Sequence, residues 1–330
     1  MKPKVYVTRM VTSEALEMVS EVAEMKLWTD ELSIPYETLL EQVKDIDGLL
    51  CLPADKVDAK VMDTAPRLKV ISNCAVGYDN IDIAEATKRG IPVGNTPGVL
   101  SETTADFTFA LLMAAARRVA EGDRYTRSGL WQTAWKPTLL LGQDIHHSTL
   151  GIVGLGRIGI EIARRAKGFQ MHVLYHDRIR REDAEKELGV EYVATLSELL
   201  SRSDFISLHV PLVEDTRKTI GPAEFSMMKP TSILVNTSRG PVIDQEALYK
   251  ALKSGQIAAA AIDVTEVEPI PMADPLLTLE NIIITPHIGS ASAVTRTKMA
   301  NMAAANLIAG LRGEMLPNCV NPEVFNRGSR

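Results

Sequence analysis

The sequence predicts an α/β protein built from two doubly wound parallel-sheet domains. Three observations predict it. Short apolar runs alternate with helix-length amphipathic segments along most of the chain, the pattern of parallel strands joined by crossover helices. One of those runs, Leu150 to Val153, passes straight into the glycine-rich turn Gly154-Leu155-Gly156-Arg157-Ile158-Gly159. The length, 330 residues of which 45% are hydrophobic, suits about two domains and can fill both cores.

Composition excludes several classes. A net charge of −6 gives no general attraction to nucleic acid or to an anionic membrane. Cys51, Cys74 and Cys319 are odd in number, widely spaced and in no metal pattern, so they are expected as free, buried thiols in a reducing cytoplasm, with no metal site. Met1 to Val7 runs directly into a strand without the core of a signal peptide. The longest apolar run, Phe107 to Ala116, is too short to span a bilayer. Arg327 to Arg330 are assigned no function.

In the first block, Val5–Thr8, Gly48–Leu52, Val70–Cys74 and Pro92–Asn95 read as strands, and Ser13–Glu24, Tyr36–Lys44 and Ile83–Arg89 as helices. They predict a flavodoxin-like domain of about 100 residues. The loop Asn73 to Asn80 follows the third strand, so backbone N–H groups around Val76 and Gly77 fall at the carboxyl edge, where open α/β sheets bind ligands. A plain turn explains Gly77 equally well. Pro97-Gly98 breaks the pattern, and Thr103-Thr-Ala-Asp106 has the spacing of a helix N-terminal cap. The long helix behind it is expected to bury Phe107, Ala110, Leu111, Ala114 and Ala115, and a hinge is expected over Asn95 to Ser101.

Between that helix and the glycine-rich turn, Ser128 to Gly142 carries Trp131 and Trp135 among turn formers, then Leu139-Leu-Leu141. An exposed apolar loop of this kind marks an interface. It is expected to be the arm of a homodimer. His146-His147 lacks companion ligands and reads as a solvated loop.

The glycine-rich turn has its own chemistry. Gly154 permits the tight turn, Gly156 lets backbone approach a pyrophosphate, and Gly159 lets the following helix, Ile158–Lys167, pack closely on its strand. The next strand, His172–Tyr175, ends at Asp177, which lies 18 positions after Gly159, where a dinucleotide fold places the carboxylate that accepts ribose hydroxyls.

Strands then follow at Asp204–Val210, Ser232–Asn236, Ala259–Val264 and Asn281–Thr285, with a helix at Gln245–Ser254. Arg239, Glu268 and His287 each fall just beyond a strand's carboxyl end and should converge where the nucleotide sits. Arg239 offers a planar charged fork for a substrate carboxylate. His287 can give or take a proton near neutral pH, and a glutamate hydrogen-bonded to it favours its charged form. Spacing leaves both Glu266 and Glu268 open for that partner.

Gly154 to Gly159, Asn236-Thr-Ser-Arg-Gly240, Asp263-Val-Thr-Glu-Val-Glu-Pro269 and Thr285-Pro-His-Ile-Gly-Ser290 resemble the successive signatures of the D-isomer-specific 2-hydroxyacid dehydrogenases. The likeness runs from Val76-Gly-Tyr-Asp79 to Leu311-Arg-Gly313, nearly the whole chain. Trp135-Lys-Pro137 with Leu141-Gly142, Ser254 to Ala261 and Pro275-Leu-Leu-Thr278 look most like its glyoxylate and hydroxypyruvate reductases.

The resemblance implies a Rossmann-type cofactor domain at 100–290, with a dimerisation arm at about 120–145, inserted in a flavodoxin-like substrate domain at 1–99 and 291–330. It implies that Arg239 and the Val76 and Gly77 amides hold the substrate carboxylate, that His287 is the acid/base, and that Glu268, not Glu266, is its partner. Trp135 would reach the neighbouring subunit's site. The cofactor would lie against Thr104, the turn from Gly154 to Gly159, Asp177, Arg178, Val210, Pro211, Thr216, Thr237, Ser238, Arg239, Asp263, His287 and Gly289. The expected reaction is NAD(P)H-dependent reduction of a small 2-oxo acid, glyoxylate or hydroxypyruvate. Asp177 favours NAD, because a carboxylate beside the ribose 2′ position repels a phosphate; Arg178, Arg180 and Arg181 leave NADP possible. Other readings on the same fold are a phosphite, phosphoglycerate or D-lactate dehydrogenase and a nucleotide-sensing corepressor. A phosphite enzyme has lysine where Val76 stands, and a corepressor usually carries basic or disordered extensions absent here.

Overall fold

The structure, a computed structural model, describes residues 1–328; Ser329 and Arg330, the end of the unassigned tail, lie outside the described residues. The chain divides into two compact units, Met1–Leu100 with Ala291–Arg330, and Ser101–Ser290.

The first unit alternates β1 (Lys4–Val7), α1 (Ser13–Val22), β2 (Glu24–Leu27), α2 (Tyr36–Gln42), β3 (Gly48–Cys51), α3 (Ala59–Thr64), β4 (Val70–Asn73), α4 (Ile83–Lys88) and β5 (Val93–Gly94). The five strands are all parallel, in the order β2-β1-β3-β4-β5, the flavodoxin-like arrangement. β3 and β4 are buried at every position, as interior parallel strands covered on both faces must be. The sequence reading carried the first helix through Glu24. The helix stops at Val22 and Glu24–Leu27 pairs with β1 as an edge strand, its alternation only four residues long and half-exposed. α3 was missed too. Its start is marked by Asp58, whose carboxylate accepts from Val61 N at 3.2 Å.

The second unit holds α5 (Ser101–Ala116), α6 (Val119–Arg127), β6 (Thr149–Val153), α7 (Arg157–Gly168), β7 (His172–His176), α8 (Glu182–Leu188), β8 (Glu191–Tyr192), α9 (Leu196–Arg202), β9 (Phe205–Leu208), α10 (Pro222–Met227), β10 (Ile233–Asn236), α11 (Gln245–Ser254), β11 (Ala259–Ile262) and β12 (Ile282–Ile284). Its seven strands are parallel in the order β8-β7-β6-β9-β10-β11-β12. The winding reverses between β6 and β9. In an open α/β sheet that switch point is where a ligand crevice opens, beyond the carboxyl ends of the strands. Tyr175, Phe205, Leu150 and Ile152 are among its largest fully buried side chains. Burying each such side chain contributes about 1.5–3 kcal/mol.

Two expectations for α5 fail. The helix begins at Ser101, so Thr103 and Asp106 lie inside it, and the exposed Asp106 pairs with Arg165 Nε at 2.7 Å instead of capping. Its buried face comprises Ala105, Phe109, Leu112 and Ala116 with Thr104, Thr108, Leu111 and Ala115, while Ala110 is exposed. A run apolar all round gives periodicity little to grip.

The last helix, α12 (Ala293–Leu311), belongs to the first unit and lies tight on its sheet. A Cβ on Gly310 would come within 2.4 Å of Val70, and one on Gly94 within 2.7 Å of Asn306. Ser72 Oγ donates to the Ala303 carbonyl at 2.8 Å, and buried Asn306 donates to the Asn95 carbonyl at 2.8 Å.

Candidate active site

Because all seven strands of the second unit run one way, every loop after a strand leaves from the same edge. β6 exits into Gly154, whose φ of +94° is left-handed backbone that suits glycine. A Cβ there would also sit 2.8 Å from the His209 carbonyl oxygen, and one on Gly159 would sit 2.3 Å from the Gly154 carbonyl oxygen. No atom comes within 4 Å of the Cβ position at Gly156, the N-cap of α7. The turn is therefore pressed against the loop after β9 on one side and open to a phosphate at the helix N-terminus on the other. Asp177, at the exit of β7, accepts from Leu155 N at 2.7 Å and from Ile179 N at 3.3 Å. One carboxylate thus ties β7 to the glycine turn.

On the far side of the switch point, His209 Nε2 lies 2.7 Å from Ser207 Oγ, and loss of hydration pushes the imidazole down to about 3, so it stays neutral. Sequence reading passed over it. The Thr216 hydroxyl turns back into its own loop, donating to the Pro211 carbonyl at 2.6 Å and accepting from Val213 N at 2.9 Å. Thr216 thereby shapes the Val210–Pro211 exit.

After β10, buried Asn236 folds the next three residues around itself. Its Oδ1 accepts from Ser238 N at 3.0 Å and Ser238 Oγ at 2.8 Å, and its Nδ2 donates to the Arg239 carbonyl at 2.9 Å. The Thr237 hydroxyl sits 2.8 Å from that of Thr108, which in turn donates to the Thr104 carbonyl at 2.7 Å. A Cβ on Gly240 would lie 1.9 Å from the Thr265 carbonyl oxygen, so only glycine lets the Arg239 turn pack against the Thr265–Glu268 loop.

Asp263, 2% exposed at the exit of β11, organises the histidine loop. Its carboxylate accepts from Thr285 Oγ1 at 2.7 Å, Ile288 N at 2.9 Å and Gly289 N at 2.7 Å, and its carbonyl accepts from His287 N at 2.9 Å. These bonds hold His287 at a φ of +54°, a conformation that costs a non-glycine residue energy and persists only where its surroundings impose it. His287 Nδ1 meets Glu268 Oε2 at 2.7 Å, both side chains partly open to solvent. The other oxygen of Glu268 accepts from Thr265 N at 3.2 Å. Glu266 is engaged elsewhere, its carboxylate accepting from Gln245 N at 3.2 Å.

The remaining singled-out residues come from other segments of the chain. In the first unit, the Val76 carbonyl accepts from Asn95 Nδ2 at 2.8 Å and the Gly77 carbonyl from Asn73 Nδ2 at 2.9 Å. Among the described residues neither the Val76 nor the Gly77 N–H has an intramolecular partner. In the second unit, Trp131 and Trp135 are 57% and 77% exposed, and α6 buries no residue. His146 and His147 are exposed too. No group of three or more His, Cys, Asp or Glu among the described residues could hold a metal, and no helix there is long and apolar enough to cross a membrane.

A doubly wound sheet with this glycine turn, an acidic residue tied to it and a histidine–glutamate pair on the same edge defines a dinucleotide-binding α/β oxidoreductase. The family model for the D-isomer specific 2-hydroxyacid dehydrogenase NAD binding domain matches residues 109–289. A glyoxylate reductase of Korarchaeum cryptofilum is 60% identical over 98% of this chain and 97% of its own. One from Thermococcus litoralis is 51% identical over 98% of both. The crystal structure of an NADPH-dependent glyoxylate/hydroxypyruvate reductase from Sinorhizobium meliloti, in complex with NADP and malonate, superposes with a TM-score of 0.87 at 32% identity over 98% of each chain. The chain belongs to the D-isomer specific 2-hydroxyacid dehydrogenases, NAD(P)-dependent oxidoreductases.

Proposed function

We propose that this chain reduces glyoxylate to glycolate, and hydroxypyruvate to D-glycerate, with His287 as the acid. The observation that carries the reading is the 2.7 Å bond between His287 Nδ1 and Glu268. With Nδ1 donating to the carboxylate, the ring is oriented and Nε2 is the atom left to serve substrate. The names of the two archaeal relatives and of the Sinorhizobium enzyme support glyoxylate as substrate, and the last supports hydroxypyruvate.

When bound, a reduced nicotinamide dinucleotide would supply the hydride for the 2-carbonyl carbon. His287 Nε2 gives its proton to the carbonyl oxygen, so the oxo acid gains one hydride and one proton and becomes the hydroxy acid. Arg239 holds the substrate carboxylate through its planar fork. In the first unit, the unpartnered Val76 and Gly77 amides offer donors suited to the same kind of group. The open N-cap at Gly156 and the close-packed Gly154 and Gly159 suit a pyrophosphate, and Asp177 suits ribose hydroxyls. Thr104, Val210, Pro211, Thr216, Thr237, Ser238, Asp263 and Gly289 would border the cofactor. NADH is the favoured cofactor and NADPH a second one.

The exposed arm, with Leu130, Trp131, Trp135 and Leu141 all more than half exposed, suits a homodimer in which Trp135 reaches the partner. Free Cys51, Cys74 and Cys319 accord with a reducing cytoplasm.

Loss of reduced-nicotinamide absorbance, measured with glyoxylate, hydroxypyruvate and pyruvate and with NADH and NADPH in turn, tests the reading. Rapid oxidation with glyoxylate or hydroxypyruvate is expected. Protein that binds the dinucleotide but turns over no 2-oxo acid would reject it in favour of a nucleotide-sensing binding protein.

A further inference from the structure

The three arginines after β7 are not equivalent. Arg180 grips Glu185 through two nitrogens, at 2.9 and 2.8 Å, and lies over the Tyr192 ring. Arg181 grips Asp183 through two nitrogens, at 3.0 and 2.8 Å, and its third donates to the Leu155 carbonyl at 3.3 Å. Both forks are committed to this chain's own acceptors. Arg178 differs: it meets Asp215 through Nη2 alone, at 2.9 Å, with both side chains largely exposed.

That ion pair has a particular place. Arg178 leaves β7 beside Asp177, and Asp215 lies in the Glu214–Thr216 turn after β9. β7 and β9 flank β6 on either side, so their exits are about 9–10 Å apart, two strand spacings. Asp177 ties the first exit to the glycine turn, and the His209 carbonyl packs the second against it. Arg178 and Asp215 thus reach towards each other across the mouth of the crevice that Gly154 to Gly159 floors.

We infer that Asp215 sets cofactor choice by occupying Arg178. The proposal rests on the dinucleotide-reductase reading above. A ribose 2′-hydroxyl needs only Asp177, and the ion pair stays closed over it. A 2′-phosphate must draw the Arg178 fork away from Asp215 and sit near a second carboxylate. Asp215 therefore acts against NADPH without touching NADH, a discrimination built from repulsion and competition and not from a new contact. Asp215 is a positioning residue for Arg178, the arginine of the three held through a single nitrogen and so the readiest to turn its fork to a phosphate.

The test measures dissociation constants of NADH and NADPH by calorimetry for the wild type, Asp215→Asn, Arg178→Gln and the double variant. Asp215→Asn should tighten NADPH about fivefold, the scale of an exposed ion pair, and leave NADH within about twofold. In the Arg178→Gln background the same change should bring no tightening, because the fork it would release is gone. Equal shifts for both cofactors, no shift for either, or a gain that persists without Arg178 would overturn the proposal while the reductase reading stands. Wild-type protein that binds neither dinucleotide would overturn both.

Discussion

The carboxyl edges of the two sheets lean on different side chains, amides more in the first unit and carboxylates more in the second. In the first unit, neutral amides do most of the organising, with the Asp55 carboxylate accepting from Leu52 N at 2.8 Å. Asn73, Asn80 and Asn95 donate to the carbonyls of Gly77, Leu52, Asp55 and Val76. Taking up carbonyls leaves backbone N–H groups over, as at Val76 and Gly77. In the second unit, carboxylates do most of it, with the Asn236 amide holding the Arg239 turn. Asp177, Glu268 and Asp263 accept from backbone N–H groups of Leu155, Thr265, Ile288 and Gly289. Those N–H groups are consumed, and beside them Arg239 Nη1 donates to the Ser238 carbonyl at 2.9 Å while His287 Nδ1 meets Glu268. One parallel-sheet plan therefore yields an edge that presents backbone donors and an edge that presents ionisable side chains.

The largest test of this contrast removes Asp263. Asp263→Ala deletes three bonds to the His287 loop and should release its left-handed backbone, lowering kcat about a hundredfold through misplacement of the imidazole; steady-state kinetics with glyoxylate would read it, and an unchanged kcat would mean the loop holds itself. Arg239→Lys keeps the charge but loses the fork, so kcat/KM should fall at least about tenfold. On the neutral edge, Asn73→Ala should cost about 1–3 kcal/mol of stability by leaving the Gly77 carbonyl unpaired. It should raise KM for glyoxylate with dinucleotide affinity unchanged, and chemical denaturation beside kinetics would separate the two effects. If its kcat fell as far as that of Asp263→Ala, the division of labour between the edges would be wrong.

A separate test is a pH dependence. His209 is held at about 3, below its ordinary value of 6.5. Its folded-state pKa is lowered, so its contribution to stability is full above about 6.5 and is lost as pH falls towards 3, because the unfolded chain takes up a proton that the folded chain refuses. Denaturation midpoints measured across that window should drop less steeply in His209→Gln; identical slopes would show that His209 carries no linkage.

Much of this was legible in the chain. Interior strands such as Gly48–Cys51 and Ile233–Asn236 stand out because they are wholly apolar or end in one polar residue, and Gln245–Ser254 shows helical periodicity between Asp244 and Gly255. Edge elements did not: β2 and β8 are four and two residues long and half-exposed, too short for an alternation to register. The start of α5 was misplaced because Ser101, Thr103 and Thr104 all have capping chemistry and only packing selects among them. At the site, Gly154, Asp177, Arg239 and His287 announce themselves through residue type and position after a strand. Asn236 clamps its turn through bonds two and three residues on, a local Asx pattern that many surface asparagines share, whereas Asp263 anchors the histidine loop through bonds 22 to 26 residues away, which no local pattern encodes. Asp215 is silent in sequence for the same reason, since its partner lies 37 residues away.

The most direct test of the account is His287→Ala, with turnover and dinucleotide affinity measured on the same preparation. NADH should still bind while glyoxylate reduction falls about a thousandfold, the scale of a lost general acid. Turnover within a few-fold of the wild type would show that the proton comes from elsewhere and that the charged edge of the second unit does not do the chemistry assigned to it.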